Sequence, residues 1–250
     1  MFNINVLTLF PEVFPGTLNC SIIGKAKNNG IWSLKTTDIK NFSSVKGKLD
    51  DKPFGGGPGM VLKADVLDKA YQSALNSLKR KTKNFSKLIL SPRGERINEN
   101  LVDELSKFDG MLIVCGRYEG VDERFAEFNS LRKISIGDFV LCGGEVAALT
   151  ILEAVIRKLP KVLGNPKSLK QFGKEKSSFD YPQFTKPRIW KKLKVPEILL
   201  SGNHEEINEW RINNSVKEKK KKKKIKNFIS FFLVFFGFSQ NFLQKCQRKL

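Results

Sequence analysis

Two short segments, LIL at 88–90 and MLIVC at 111–115, are apolar at every position, and this lack of alternation is the tightest constraint on the fold. A strand with one face in water alternates polar and apolar side chains. A strand apolar throughout needs cover on both faces, as in a parallel sheet flanked by helices. NINVLTLF (3–10) and WSLKTTDI (32–39) add two further strands to SKLILSP (86–92) and GMLIVCG (110–116). Helical spacing separates them. In 63–80, Val66, Leu67, Ala70, Ala74, Leu75 and Leu78 fall on one face, with Asp65 placed to cap or charge the start, and NENLVDELSKF (98–108) repeats the pattern. GEVAALTILEAVIRKL (144–159) is apolar almost all round, which predicts a buried helix. The alternation predicts an α/β fold: a parallel sheet with helices on both faces.

After Pro160 the character changes. Residues 161–187 read as a linker or active-site loop, rich in Lys, Gly and Pro and without hydrophobic period. A small helical unit over 188–215 follows, its helix starting at Asn203 as N-cap with Glu205 and Glu206 in the first turn. Residues 216–250 hold six consecutive lysines and then a Phe-rich stretch, and read as a disordered tail or as the product of a reading-frame slip. The 250 residues carry a formal charge of +20; the last 35 contribute 11 basic residues and one acid, so +10 remains without them. A polyanionic partner, nucleic acid above all, is favoured.

The four cysteines (20, 115, 142 and 246) form no CxxC pair, which points away from a disulfide framework or zinc site and towards a reducing cytoplasm. The first residues lack the pattern of a signal peptide, and the apolar run Phe228–Phe238 is shorter than the ~20 residues a membrane helix needs. Three glycine-bearing loops carry the chemistry: FGGGPGM (54–60), CGRYEGVDERF (115–125) and SIGDFVLCGGE (135–145). Glycine allows close approach of backbone to a ligand, and such loops at strand ends form clefts in α/β proteins. None is a P-loop or a dinucleotide fingerprint. A single histidine, His204, argues against triad chemistry, and protein-ligated metal is poorly supported. The charges of CGRYEGVDERF exceed what a turn needs, and read equally as a functional cluster or as solvated salt bridges.

In order along residues 1–215, LTLFPEVF, DDKPFGGGPGM, LSPRGE, CGRYEGVDERF, SIGDFVLCGGE, VLGN, YPQFTKP and VPEILLSGNHEEINEWR resemble the bacterial tRNA (guanine-N1)-methyltransferases. The resemblance implies the SPOUT class, whose sheet carries a deep trefoil knot, in a domain over 1–160 that binds S-adenosylmethionine, with the small C-terminal unit gripping tRNA. It also implies a homodimer with shared active sites, methylation of guanine N1 just 3′ of the anticodon, and Mg2+ as a further requirement. The cofactor loops correspond to Leu90, Pro92, Gly116, Tyr118, Ile136, Gly137, Asp138, Phe139, Val140 and Leu141. Two other readings stay open: a knotted methyltransferase with another RNA target, and an RNA-binding protein without catalysis.

Guanine N1 is protonated at neutral pH, so its methylation needs a base at N1 and a cation or donor near O6. The resemblance assigns a supporting role to Arg157 and the base to an aspartate in the loop after the knot. This chain departs there: alignment puts Phe172 or Ser177 at that position, and the nearest carboxylates are Glu175 and Asp180. Asp180, just before YPQFTKP, matches a second acidic position of the family.

Overall fold

The computed structural model describes residues 1–43, 48–164 and 181–214. The chain divides into two compact units, Met1–Leu169 and Lys170–Leu250.

The first unit runs β1 (Phe2–Thr8), α1 (Ser21–Asn28), β2 (Trp32–Asp38), β3 (Asp50–Asp51), β4 (Val61–Leu62), α2 (Ala64–Lys79), β5 (Ser86–Arg96), α3 (Glu99–Leu105), β6 (Gly110–Val114), α4 (Glu123–Phe128), β7 (Arg132–Ser135) and α5 (Gly144–Lys158). Its five-stranded sheet has the order β2-β1-β6-β5-β7, every pair parallel. The continuous apolar strands divide their side chains between two cores. Leu88, Leu90, Met111 and Ile113 pack with α1, α3 and α5, through residues such as Ile23, Leu101 and Ile151. Ile89, Leu112 and Val114 point the other way, onto Leu67, Ala70 and Tyr71 of α2 and Phe125 of α4. Helices therefore cover both faces, as those runs require.

Two details differ from expectation. β7, α1 and α4 had not been anticipated, since Arg132-Lys133-Ile134-Ser135 has no apolar run and α4 lies inside a stretch read as a loop. α5 is not buried all round: Val146, Thr150 and Glu153 are exposed along one stripe. Of the two roles expected for Asp65 at the start of α2, it takes the one of charging the first turn, and Asn98 caps α3 by accepting from Leu101 N–H at 3.0 Å.

β5 does not run straight beside β7. Leu90 and Glu95 both stand opposite Ile134, so Ser91–Gly94 loops out of the pairing. Gly94 makes this possible, because a Cβ there would lie 2.5 Å from the backbone of Lys133 and Ile134.

The second unit contains a hairpin of β8 (Ile189–Trp190) and β9 (Leu193–Lys194), turned through Lys191 and Lys192, both at positive φ. Helix α6 covers residues 204–214. Asn203 caps it as expected, accepting from Glu205 N–H at 3.2 Å and Glu206 N–H at 3.4 Å. Trp210 meets Phe184 edge-on, with ring centroids 6.2 Å apart. Most of the expected linker and the whole 216–250 tail lie outside the described residues.

Candidate functional site

At the carboxyl ends of β5, β6 and β7, against the start of α5, lies a cleft of about 450 Å3. Ligands of open parallel sheets sit at such edges. Three segments wall it: 89–93, where β5 loops outward; 116–121, after β6; and 133–144, from β7 into α5. Leu90, Pro92, Gly116, Tyr118, Ile136, Phe139, Val140 and Leu141 line it, so most of the expected cofactor positions converge, although they come from separate stretches of chain.

Gly137 and Asp138 are not in the lining. Gly137 closes a turn in which its N–H donates to Ser135 Oγ and its carbonyl accepts from the same hydroxyl; a Cβ there would meet the Phe139 ring at 2.4 Å. It shapes the wall from behind. Asp138 pairs with Arg96, and its carboxylate is largely in solvent. Arg157 lies in the last turn of α5, whereas the cleft meets the first. Thirteen residues separate it from Gly144, about 20 Å at the helical rise. The chain does not bring Arg157 to its own cleft. Glu175 and Asp180 lie outside the described residues.

Several lining residues had not been assigned to a site, among them Arg93, Arg117, Glu119, Glu123, Lys133 and Cys142. The charge density of CGRYEGVDERF signalled three of them; Lys133 gave no signal. Ion pairs account for part of that stretch. Asp122 caps α4 and pairs with Arg124 at 2.7 Å, and Glu123 pairs with Lys133 and with Arg93. The Arg124 hydrogen bonds hold the Asp122 carboxyl below its ordinary 3.8, against a smaller opposing effect of burial. Glu119 makes no ion pair among the described residues and is exposed in the cleft wall.

Beneath the cleft sits a buried charge. Glu145, 2 % exposed, accepts from Arg117 Nε at 2.9 Å and from Thr8 Oγ1 at 2.7 Å. Thr8 Oγ1 accepts in turn from Phe10 N–H at 2.9 Å, and the Arg117 guanidinium stacks 4.3 Å from the Phe10 ring centroid. The first turn of α5 is a favourable place for this carboxylate, because the helix dipole points its positive end there. One acid thus ties the end of β1, the loop after β6 and the start of α5.

The paired glycines of CGGE follow from the same packing. A Cβ on Gly143 would fall 2.1 Å from Arg117 Nε, and one on Gly144 would fall 2.9 Å from Cys115 Cα. Gly144 N–H donates to Gly116 O at 2.9 Å, closing the third wall onto the second. Burial, reinforced by the Glu145 charge, pushes the Cys115 thiol up, with Arg117 opposing. Cys115 is therefore a neutral packing group. Cys142 is exposed and lines the cleft.

Residues 2–227 match the family model described as tRNA (Guanine-1)-methyltransferase TrmD. The chain is similar to three proteins that carry the name tRNA (guanine-N(1)-)-methyltransferase. That of Ehrlichia canis (strain Jake) is 46% identical over 215 residues, covering 85% of this chain and 90% of the relative. Those of Neorickettsia sennetsu and Rhizobium johnstonii are each 46% identical, over 84% and 86% of this chain and 91% and 87% of their own lengths.

Proposed function

This chain belongs to the tRNA (guanine-N1)-methyltransferase family, and from that premise we propose that it transfers the methyl group of S-adenosylmethionine to N1 of guanine in tRNA, at the guanosine just 3′ of the anticodon. The observation that carries the reading is the cleft itself, in which three separate motif loops converge at the carboxyl edge of the sheet.

The residues present fit the cofactor. The volume lies in the range of small-molecule sites, and Leu90, Ile136 and Leu141 offer apolar surface beside the backbone of Gly116. Glu119 adds a carboxylate beside a ligand that carries a sulfonium and an ammonium. When bound, S-adenosylmethionine supplies an electrophilic methyl group. The chain's part is to hold that group still, exclude water and prepare the acceptor. Arg117, fixed by Glu145 and Phe10, keeps the loop over the cleft in one position. Guanine N1 must lose its proton as the methyl carbon arrives, leaving negative charge towards O6. Glu175 or Asp180 accepts that proton, and Arg157 stabilises the charge.

Arg157 can act only at a cleft other than its own, so the active site combines the cleft of one subunit with the Arg157 end of α5 from a second copy. A homodimer is thus part of this proposal, as are the trefoil knot of the SPOUT class, a small C-terminal unit that grips tRNA, and action in the cytoplasm. No described helix is long and apolar enough to cross a membrane. Among the described residues no group of three or more His, Cys, Asp or Glu could hold a metal ion, so Mg2+ is assigned no protein site and no step runs through it.

Calorimetry with S-adenosylmethionine, followed by single-turnover methyl transfer to tRNA transcripts with and without guanosine beside the anticodon, tests the reading. Binding with transfer only to the guanosine transcript is expected. Binding without any transfer would instead identify an RNA-binding protein, and transfer to both would change the target. Loss of the chemical step in either Asp180→Asn or Glu175→Gln identifies the base; full activity in both excludes the pair.

A further inference from the structure

The stretch KRKTKNFSK at 79–87 holds Lys79, Arg80, Lys81, Lys83 and Lys87 and no acid. It joins the end of α2 to the start of β5 and so lies at the amino edge of the sheet, opposite the cleft. From Ser86 to Leu90 alone the strand advances about 13 Å. A groove of about 430 Å3 runs here, floored by Leu75 and Phe85 and rimmed by Lys79, Lys83 and Lys87. Lys87 is already committed, donating from Nζ to Asn129 O at 2.8 Å.

The remaining four cations, close together in sequence, contrast with the cations around the cleft. Around and behind the cleft, Arg93, Arg96, Arg117, Arg124, Arg132, Lys133 and Lys158 each hold an acidic partner. Lys79, Arg80, Lys81 and Lys83 are exposed, and none has an ion-pair partner among the described residues. One carboxylate is near: Asp109, whose backbone N–H donates to Asn84 O at 2.8 Å. The dipole at the end of α2 accounts for Lys79 and Arg80. It does not account for Lys81 and Lys83, which lie beyond the helix. Four like charges within five residues repel one another, and that cost is offset when an external polyanion occupies the surface.

We propose that this amino-edge surface binds the phosphate backbone of RNA and gives the tRNA substrate a contact remote from the methyl-transfer cleft. The inference rests on the tRNA methyltransferase reading for the identity of the RNA. Contacts to phosphate add affinity without reading sequence. The surface therefore strengthens binding of any tRNA and leaves the choice of guanosine to the cleft.

The test is a full-length variant carrying Lys79→Gln, Arg80→Gln, Lys81→Gln and Lys83→Gln, beside a charge-keeping variant with Lys79→Arg, Lys81→Arg and Lys83→Arg. Equilibrium binding of tRNA transcripts is followed across salt concentrations, with S-adenosylmethionine affinity by calorimetry as the control. The glutamine variant should lose about tenfold or more in tRNA affinity at low salt, and its log–log salt slope should become shallower by about 2 to 4. The loss should be equal for transcripts with and without the guanosine, with S-adenosylmethionine affinity unchanged. The charge-keeping variant should bind as the wild type does. Unchanged affinity and slope overturn the proposal, as does a loss confined to the guanosine transcript, which would place the effect in the cleft. Charge-dependent binding of wild type to phosphatidylserine vesicles, abolished in the glutamine variant while tRNA affinity persists, overturns it in favour of a lipid surface. A wild type without methyl transfer refutes the functional reading alone, because the binding measurements still decide the surface.

Discussion

Glu145 shows how much of the cleft depends on one side chain. Replacing it by alanine leaves the Arg117 guanidinium without its partner at a site where only a quarter of that side chain reaches water. Removing one member of a buried pair costs about 3 kcal/mol, and urea unfolding of Glu145→Ala should show a loss of that order. Glu145→Gln keeps an acceptor for Thr8 and Arg117 and should lose less. Both should bind S-adenosylmethionine more weakly than wild type, because the loop bearing Gly116 and Tyr118 is no longer anchored; wild-type affinity in a folded Glu145→Ala protein would show that the pair stabilises without positioning. The cysteines offer an independent probe. At neutral pH iodoacetamide should modify exposed Cys142 and Cys20 and spare Cys115, whose thiol burial keeps neutral. Saturating S-adenosylhomocysteine should slow alkylation of Cys142 alone, read by peptide mass spectrometry. No protection at Cys142 would place the ligand elsewhere.

Secondary-structure elements were legible where one physical cause dominated. β5 and β6 announce themselves because burial on both faces demands continuous apolar side chains. β7 does not, since two of its four residues are charged and become tolerable only through partners distant in sequence: Arg132 with Glu95 and Glu104, Lys133 with Glu123. The Arg117–Glu145 pair was hidden for the same reason, its members being 28 positions apart. Glycine marked two of the three cleft walls, in 115–125 and 135–145, whereas FGGGPGM does not line the cleft and lies behind the second wall, Met60 O accepting from Glu119 N–H at 3.0 Å. Glycine could not separate the wall from its backing, which is why Gly137 and Asp138 were carried along with their neighbours. Gly94 makes the point testable. Gly94→Ala presses a methyl group onto the backbone of Ile134, forcing β5 and β7 apart at the outward loop that carries Pro92. A loss of at least about tenfold in S-adenosylmethionine affinity, some 1.4 kcal/mol, is expected by calorimetry. α4 supplies a pH test. Asp122 caps it, and Arg124 holds the carboxyl below 3.8. A depressed acid stabilises above its unfolded value and loses that contribution as pH falls through the folded one. Asp122→Ala should therefore cost about 1 kcal/mol near neutrality, and the gap to wild type should close as the pH is lowered below 4.

At the scale of the whole molecule, the role proposed for Arg157 sets what an active unit must contain, because of its distance from the cleft. α5 presents its first turn to the cleft and carries Arg157 in its last, about 20 Å away along a rigid helix. The segment after Gly164, with Glu175 and Asp180, continues from that far end. A single chain thus keeps its cleft walls and its Arg157 apart, and in the proposed homodimer the Arg157 end of one α5 meets the cleft of the other subunit. Subunit mixing separates this arrangement from one in which each chain works alone. Gly94→Ala impairs the cleft, and Arg157→Ala impairs the opposite end. In a mixed dimer of the two, one site combines both lesions and the other combines neither. Assayed at S-adenosylmethionine well below saturation, where Gly94→Ala keeps about a tenth of wild-type activity or less, the two variants unfolded together and refolded at equal concentration should therefore recover about a quarter of wild-type methyl transfer, since about half the dimers are mixed and each has one intact site. If each active site were built within one chain, every site in the mixture would carry a lesion and activity would not rise above the mean of the two variants. Size-exclusion chromatography of each variant alone shows whether it still assembles, so that a missing dimer is distinguished from an unshared site.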